Sequence, residues 1–269
     1  MKTIIACTDF SQSSFNACRY AAMLAQTLHC KLTLFNLFEA PIIHSNMGLY
    51  GYPDDVNITK QDSSRKINGL TQKLLKEFPE LNIDQFFTSG SFKSELRKFI
   101  KSHYIEAAVL GLESKHKFSK SIFGSNGTDL IGKIKTPVII VPQSYKKHKL
   151  LKVVLAVDNS EKIHKTTLHD FESILLKTKC ELELLHVRTE DEVFNPSKTD
   201  LTINKKKLPI ISVLAKDLQD GIKRYCIKNQ IDMVVAISKK HSVFYNFFIE
   251  SISKKIAFVA KVPVMIIHE

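Results

Sequence analysis

Thr3-Ile-Ile-Ala-Cys-Thr-Asp9 returns as Val153-Val-Leu-Ala-Val-Asp158, and this return decides the fold. Each copy is a short, β-branched apolar run closed by an aspartate, the pattern of a buried strand. Lys31-Leu-Thr-Leu-Phe-Asn36 likewise returns as Glu181-Leu-Glu-Leu-Leu-His186. Further on, Phe92, Leu96, Phe99 and Ile100 recur 126 positions later as Leu218, Ile222, Tyr225 and Cys226. Both sets are spaced i, i+4, i+7, i+8, the core-facing stripe of an amphipathic helix. At the same offset Glu106 meets Asp232, and Pro137-Val-Ile-Ile-Val141 meets Pro263-Val-Met-Ile-Ile267. The chain therefore reads as two copies of one unit.

Within the unit, apolar runs alternate with helical patterns, which predicts βαβ units and a mostly parallel open sheet with flanking helices. In the first copy the strands fall near 3–8, 31–38, 82–88, 106–111 and 137–141, and the helices near 12–28, 60–78, 92–103 and 125–134. Asp158 lies 149 residues beyond Asp9, yet later matches are only 126 apart, so the second copy is twenty-three residues shorter. The loss falls where the first copy has its 60–78 helix. Pro142 closes the last strand of the first copy and a polar stretch follows, placing the boundary within Gln143–Lys149 and the domains at 1–146 and 147–269.

Two domains suit 269 residues, and 44% hydrophobic with 25% charged residues is a globular composition. No apolar run reaches the roughly 20 residues of a membrane span. The N-terminal run is cut by Asp9, too soon for a signal segment, so the expectation is cytoplasmic. Cys7, Cys18, Cys30, Cys180 and Cys226 show no C-x-x-C spacing and read as reduced thiols, Cys7 as a buried strand residue. The net charge of +12 is spread over both halves instead of forming an aromatic-interleaved basic face, which argues against a specific nucleic-acid partner. Lys205-Lys206-Lys207 reads as a solvated loop run.

Ligands of open α/β sheets bind at the carboxyl ends of strands, over helix N-termini. That rule selects Thr8 and Asp9, then Leu37, then Gly111. Beyond Gly111 come Ser114, three lysines at 115, 117 and 120, and Gly124-Ser125-Asn126-Gly127. Gly124 permits close backbone approach, and Ser125 opens a helix whose first N–H groups favour phosphate. On the residues alone, Gly-Ser at a helix start is equally an ordinary N-terminal cap.

The stretch Ile4–Ala25, IIACTDFSQSSFNACRYAAMLA, resembles the first strand, turn and helix of the universal stress protein family. Gly111 to Val141 resembles that family's nucleotide signature, G-x2-G-x9-G-[ST]. Gly111, Gly124 and Ser125 match it, and Ser114 replaces its second glycine. The resemblance covers both copies and implies two Rossmann-like, adenine nucleotide alpha hydrolase-like sheets packed as an intramolecular pseudo-dimer. It implies ATP or AMP, with or without magnesium, as cofactor. Thr8 and Asp9 would then border the adenosine and Leu37 the base. Gly111 and Ser114 would line the ribose and phosphate turn, and Gly124, Ser125 and Asn126 would hold phosphates. For Asp9 a loop or cap carboxylate is the even alternative. Relatives dimerise through their final strands, implying that Val138–Val141 pairs with Val264–Ile267 within this chain. In the second copy Gly111 becomes Ile237, Ser114 becomes Lys240 and Gly124 becomes Glu250, leaving only Ser251 of the signature. Glu250 puts a carboxylate where a phosphate would sit, so that copy is expected to bind no ATP. Asp158 is expected to be structural there.

No catalytic constellation, Walker-type loop, pyrophosphatase-type loop or metal-ligand spacing is present in the sequence. The resulting expectation is a nucleotide-responsive stress or signalling factor. A nucleotide-independent protein-interaction module and a slow ATPase are the alternatives. The protein partner and any further homodimer are open. The Pro41–Thr59 stretch reads as a long loop, either a lid or a cover for the sheet edge.

Overall fold

The computed structural model describes residues 2–38, 44–45, 48–49, 53–112, 134–147, 149–157, 165–189, 202–203, 206–238 and 261–268. The first half runs β1 (Thr3–Thr8), α1 (Gln12–Leu28), β2 (Lys31–Phe38), the two-residue strands β3 (His44–Ser45) and β4 (Gly48–Leu49), α2 (Pro53–Glu77), β5 (Ile83–Ser89), α3 (Phe92–Ser102), β6 (Ile105–Leu112) and β7 (Val138–Pro142). The second runs β8 (Lys152–Ala156), α4 (Lys165–Thr178), β9 (Glu181–Arg188), β10 (Thr202–Ile203), β11 (Lys206–Lys207), β12 (Ile210–Leu214), α5 (Leu218–Asn229), β13 (Met233–Ser238) and β14 (Val264–His268).

Among the described residues ten of these strands build one sheet in the order β12-β9-β8-β13-β14-β7-β6-β1-β2-β5, while β3–β4 and β10–β11 form separate antiparallel pairs. In the large sheet each half is parallel throughout, and the seam between them, β7 against β14, is antiparallel, with Val138 opposite Ile266 and Ile140 opposite Val264. This is the pairing expected of the final strands. β1, β7 and β13 are buried at every position, as parallel strands sandwiched between helices must be. β5 and β12, at the two ends of the sheet, are only partly buried.

The predicted strands of the first half and its helices near 12–28, 60–78 and 92–103 are present, with one correction. The 60–78 helix is longer and starts at Pro53, so the expected loop ends before Thr59. Pro53, with its preset φ, suits the first position of a helix. The helix predicted at 125–134 lies outside the described residues except for Ile134, which is buried. In the second half the described residues between β9 and β12 hold the β10–β11 pair.

The two halves repeat small details as well as elements. His29 and Lys179, each at the end of its half's first helix, both adopt the left-handed region with φ of 52° and 54°. Asn36 Nδ2 donates to the Thr8 carbonyl at 2.8 Å, and His186 Nδ1 donates to the Val157 carbonyl at 3.0 Å. Glu106 and Asp232 are both buried carboxylates. Asp232 accepts from the Leu151 and Lys152 amides at 2.9 and 3.0 Å and pairs with Lys147. Glu106 pairs with Lys2.

The chain that joins the halves is tied to α1. Asn16 Nδ2 donates to the carbonyls of Pro142 and Tyr145 at 3.0 and 2.7 Å, and Tyr20 meets the Tyr145 ring edge-on at 5.8 Å. Across the seam Lys177 on α4 donates to the Leu28 carbonyl that ends α1. No described helix is long and apolar enough to cross a membrane.

Candidate functional site

β2, β1 and β6 are adjacent and parallel, so their carboxyl ends lie on one edge of the sheet. The strand direction reverses its order at β1, with β2 on one side and β6 on the other, which makes this the topological switch point of the first half. Thr8, Leu37 and Gly111 stand at those three ends. The structure thus brings together the described residues predicted from sequence. Ser114, Gly124, Ser125 and Asn126 lie outside the described residues.

The turn between β1 and α1 is built from its own polar side chains. Thr8 is buried, and its hydroxyl accepts from the Phe10 amide at 3.0 Å and lies 3.2 Å from Ser14 Oγ. The Asp9 carboxylate accepts from the amide and hydroxyl of Ser11 at 3.1 and 2.7 Å. Ser11 caps α1, its Oγ accepting from the Ser14 amide. Asp9 therefore has a definite local role in holding the cap residue. Between them Phe10 is driven to φ +65°, a conformation that costs an aromatic residue about 1–2 kcal/mol.

Gly111 has a packing reason to be glycine. A Cβ there would come within 2.5 Å of the Ser13 carbonyl oxygen and 2.9 Å of the Ser14 amide. The first turn of α1 thus rests on the bare backbone of β6. In the second half Ile237 holds the matching position, opposite Ile267 as Gly111 is opposite Val141. Leu37 is partly buried against the core. Asn36, next to it, is almost fully buried, and its Oδ1 has no hydrogen-bond partner among the described residues.

A cleft of about 390 Å³ opens beside this turn, between the start of α1 and the middle of α2. Thr8, Phe10 and Ser11 form one wall and Lys66, Gly69 and Lys73 the other. The ammonium groups of Lys66 and Lys73 each stand 6.0 Å from a ring centre, that of Phe10 and of Phe15. Sequence reasoning missed Phe10, Lys66 and Lys73. The signal was available in the spacing of Lys66, Gly69, Leu70 and Lys73, which puts them on one helix face. Lys66 is paired with Asp62 at 2.6 Å, so Lys73 and the positive dipole end of α1 are what suit the cleft to an anionic ligand.

Beneath the turn, Cys7 and Cys18 are fully buried, and burial pushes both thiols up, Cys18 to about 12. They are protonated small apolar groups. Among the described residues no group of histidines, cysteines and carboxylates is arranged to hold a metal ion.

A doubly wound parallel sheet with a glycine-cleared switch point is the architecture of nucleotide-type α/β proteins. The model of the universal stress protein family matches residues 1–142, more than half of the chain. The chain belongs to the universal stress protein family. It is similar over 99% of its length to a universal stress protein from Archaeoglobus fulgidus DSM 4304, covering 98% of that chain at 17% identity and a TM-score of 0.70. A protein of unknown function from Pseudomonas aeruginosa PAO1 (11% identity, 100% and 92% coverage) and a putative universal stress protein from Pseudomonas aeruginosa UCBPP-PA14 (11%, 100% and 93%) both give TM-scores of 0.58. No curated protein matches the chain. At these identities the structural likeness establishes the fold.

Proposed function

We propose that the chain is a cytoplasmic, nucleotide-responsive stress or signalling factor whose first domain, residues 1–146, binds ATP or AMP. Residues 147–269 form a second domain that lacks the site. The observation that carries this reading is the convergence of Thr8, Leu37 and Gly111 at the switch point, next to a cleft bearing Lys66 and Lys73. Thr8 and Asp9 border the adenosine and Leu37 the base. Gly111 and Ser114 line the sugar and phosphate turn, while Gly124, Ser125 and Asn126 hold phosphates. The buried Asn36 Oδ1 is an acceptor that an N–H or O–H of the nucleoside would satisfy. Bound nucleotide stabilises the state that holds it and changes what the protein presents to its partners. The described cysteines are free, which suits the reducing cytoplasm.

Thermal unfolding with and without millimolar ATP, ADP or AMP tests this. Ligand at 100 times its Kd raises stability by about 2.7 kcal/mol. Gly124→Glu, which copies the second repeat, is expected to keep the unliganded Tm and lose the ligand-induced rise. A rise that persists in Gly124→Glu would place the nucleotide elsewhere.

A further inference from the structure

Four residues of α2, Lys66, Gly69, Leu70 and Lys73, fall at i, i+3, i+4 and i+7 and share the face that lines the cleft beside the first turn of α1. Gly69 sits well inside this 25-residue helix, where glycine weakens a helix more than any residue but proline. Gly111, Gly221 and Gly90 have reasons in the fold. A Cβ at Gly111 or Gly221 would collide with Ser13 or Val187, and Gly90 has φ +120°. Gly69 has neither reason: a Cβ there meets nothing within 4 Å. Its bare backbone faces open space in a cleft of about 390 Å³. The half-buried rings of Phe10 and Phe15 form the other wall, and the buried Leu70 adds an apolar floor. No carboxylate lines the cleft. Lys66 is paired with Asp62, but Lys73 has no carboxylate partner among the described residues. The Lys73 ammonium stands 6.0 Å from the Phe15 ring centre, at the outer limit of cation–π attraction.

We propose that this cleft is a second ligand site and that it takes a flat aromatic acid. The ring lies between the phenylalanines and the bare backbone of Gly69, with its anionic group on Lys73. Three features select that chemistry. A helix-interior glycine with free space beside it lets a ligand lie against the backbone, which any side chain would prevent. Two phenylalanines and a leucine favour a planar apolar body, and rings packed on rings gain beyond the area they bury. A lysine without a carboxylate partner, in a cleft that no carboxylate lines, supplies the charge preference. The nucleotide reading assigns the base to Leu37 and the phosphates to residues 124–126, and it leaves this cleft without an occupant. The two sites share the β1–α1 turn through Thr8 but use different residues for their anions, so each can be removed without the other.

The probe is 2-naphthoate, titrated into the full chain and followed by its fluorescence, which the absence of tryptophan leaves unobscured. We expect saturable binding at one site per chain, about tenfold tighter than that of the neutral 2-naphthalenemethanol. Lys73→Gln should bring the two ligands to equal affinity. Gly69→Leu fills the cleft with a good helix former, so binding should fall by about tenfold or more while the Tm holds or rises. Gly69→Ala puts a single methyl into open space and should raise the Tm. A Tm that falls in Gly69→Ala would mean that the fold itself needs the glycine, which removes the case for a ligand there. Gly124→Glu, aimed at the phosphate end of the nucleotide reading, should leave naphthoate binding intact, so the two readings fail separately. No saturable binding, equal affinity for both naphthalenes in the unaltered chain, full binding in Gly69→Leu, or loss of binding in Gly124→Glu would overturn the proposal.

Discussion

At Gly111 a missing side chain does more than a present one. The Ser13 carbonyl occupies the space of its Cβ, so Gly111→Val must lift the first turn of α1 from β6. We expect a loss of about 2 kcal/mol in urea unfolding, the usual cost of overpacking, and weaker binding at the proposed nucleotide site, because Asp9, Ser11 and Ser14 move with the turn. Asp232 is the opposite case, a buried charge satisfied by two amides and Lys147. Asp232→Ala orphans both amides and should cost about 3 kcal/mol. His268 gives the pH dependence. Burial lowers its imidazole from 6.5 to about 4, so the folded state holds it neutral where the unfolded chain would protonate it. Stability from this group is complete above pH 6.5 and is lost as pH falls towards 4, at about 1.4 kcal/mol per pH unit. In His268→Gln that part of the acid-side slope should vanish, and an unchanged slope would assign it to the carboxylates.

Helix ends and strand ends show what was legible in the sequence. The β1, β2, β6 and β7 bounds followed from apolar runs, since a strand buried on both faces carries few polar positions to blur it. The start of α2 did not, because Pro41–Thr59 lacks an apolar stripe and its helix signal is the Pro53-Asp-Asp first turn alone. Thr8, Leu37 and Gly111 were found through strand-end logic, which needs only the order of strands. Phe10 and the α2 lysines were not, since their meeting depends on how α2 lies across α1. The role of Asp9 as holder of Ser11 was similarly invisible, because a carboxylate's partner is set by backbone geometry. His29 offers a clean element-scale test. It ends α1 at φ 52° with an exposed side chain, so His29→Gly should stabilise the protein by about 0.5–1 kcal/mol, read as a raised Tm. An unaltered or lowered Tm would mean that its side chain contributes to the cap.

For the whole molecule, the seam is the organising feature. β7 and β14 are buried along the lengths that pair, and each covers an edge that the other half would otherwise expose. Residues 1–146 produced alone should therefore dimerise through β7 in sedimentation, with a second copy replacing β14, whereas the full chain needs no copy for that edge. A monomeric, soluble fragment would show that the seam is dispensable. The repeat also lets the two halves diverge. The first retains the glycine-cleared switch point, and the second carries Ile237 there and is twenty-three residues shorter before its third helix pattern. That asymmetry is the central claim, and calorimetric titration of the nucleotide-stripped full chain with Mg-ATP measures it most directly. The account predicts one site per chain, kept in Asp158→Ala and abolished in Gly124→Glu. Two sites per chain, or one site that survives Gly124→Glu, would contradict it.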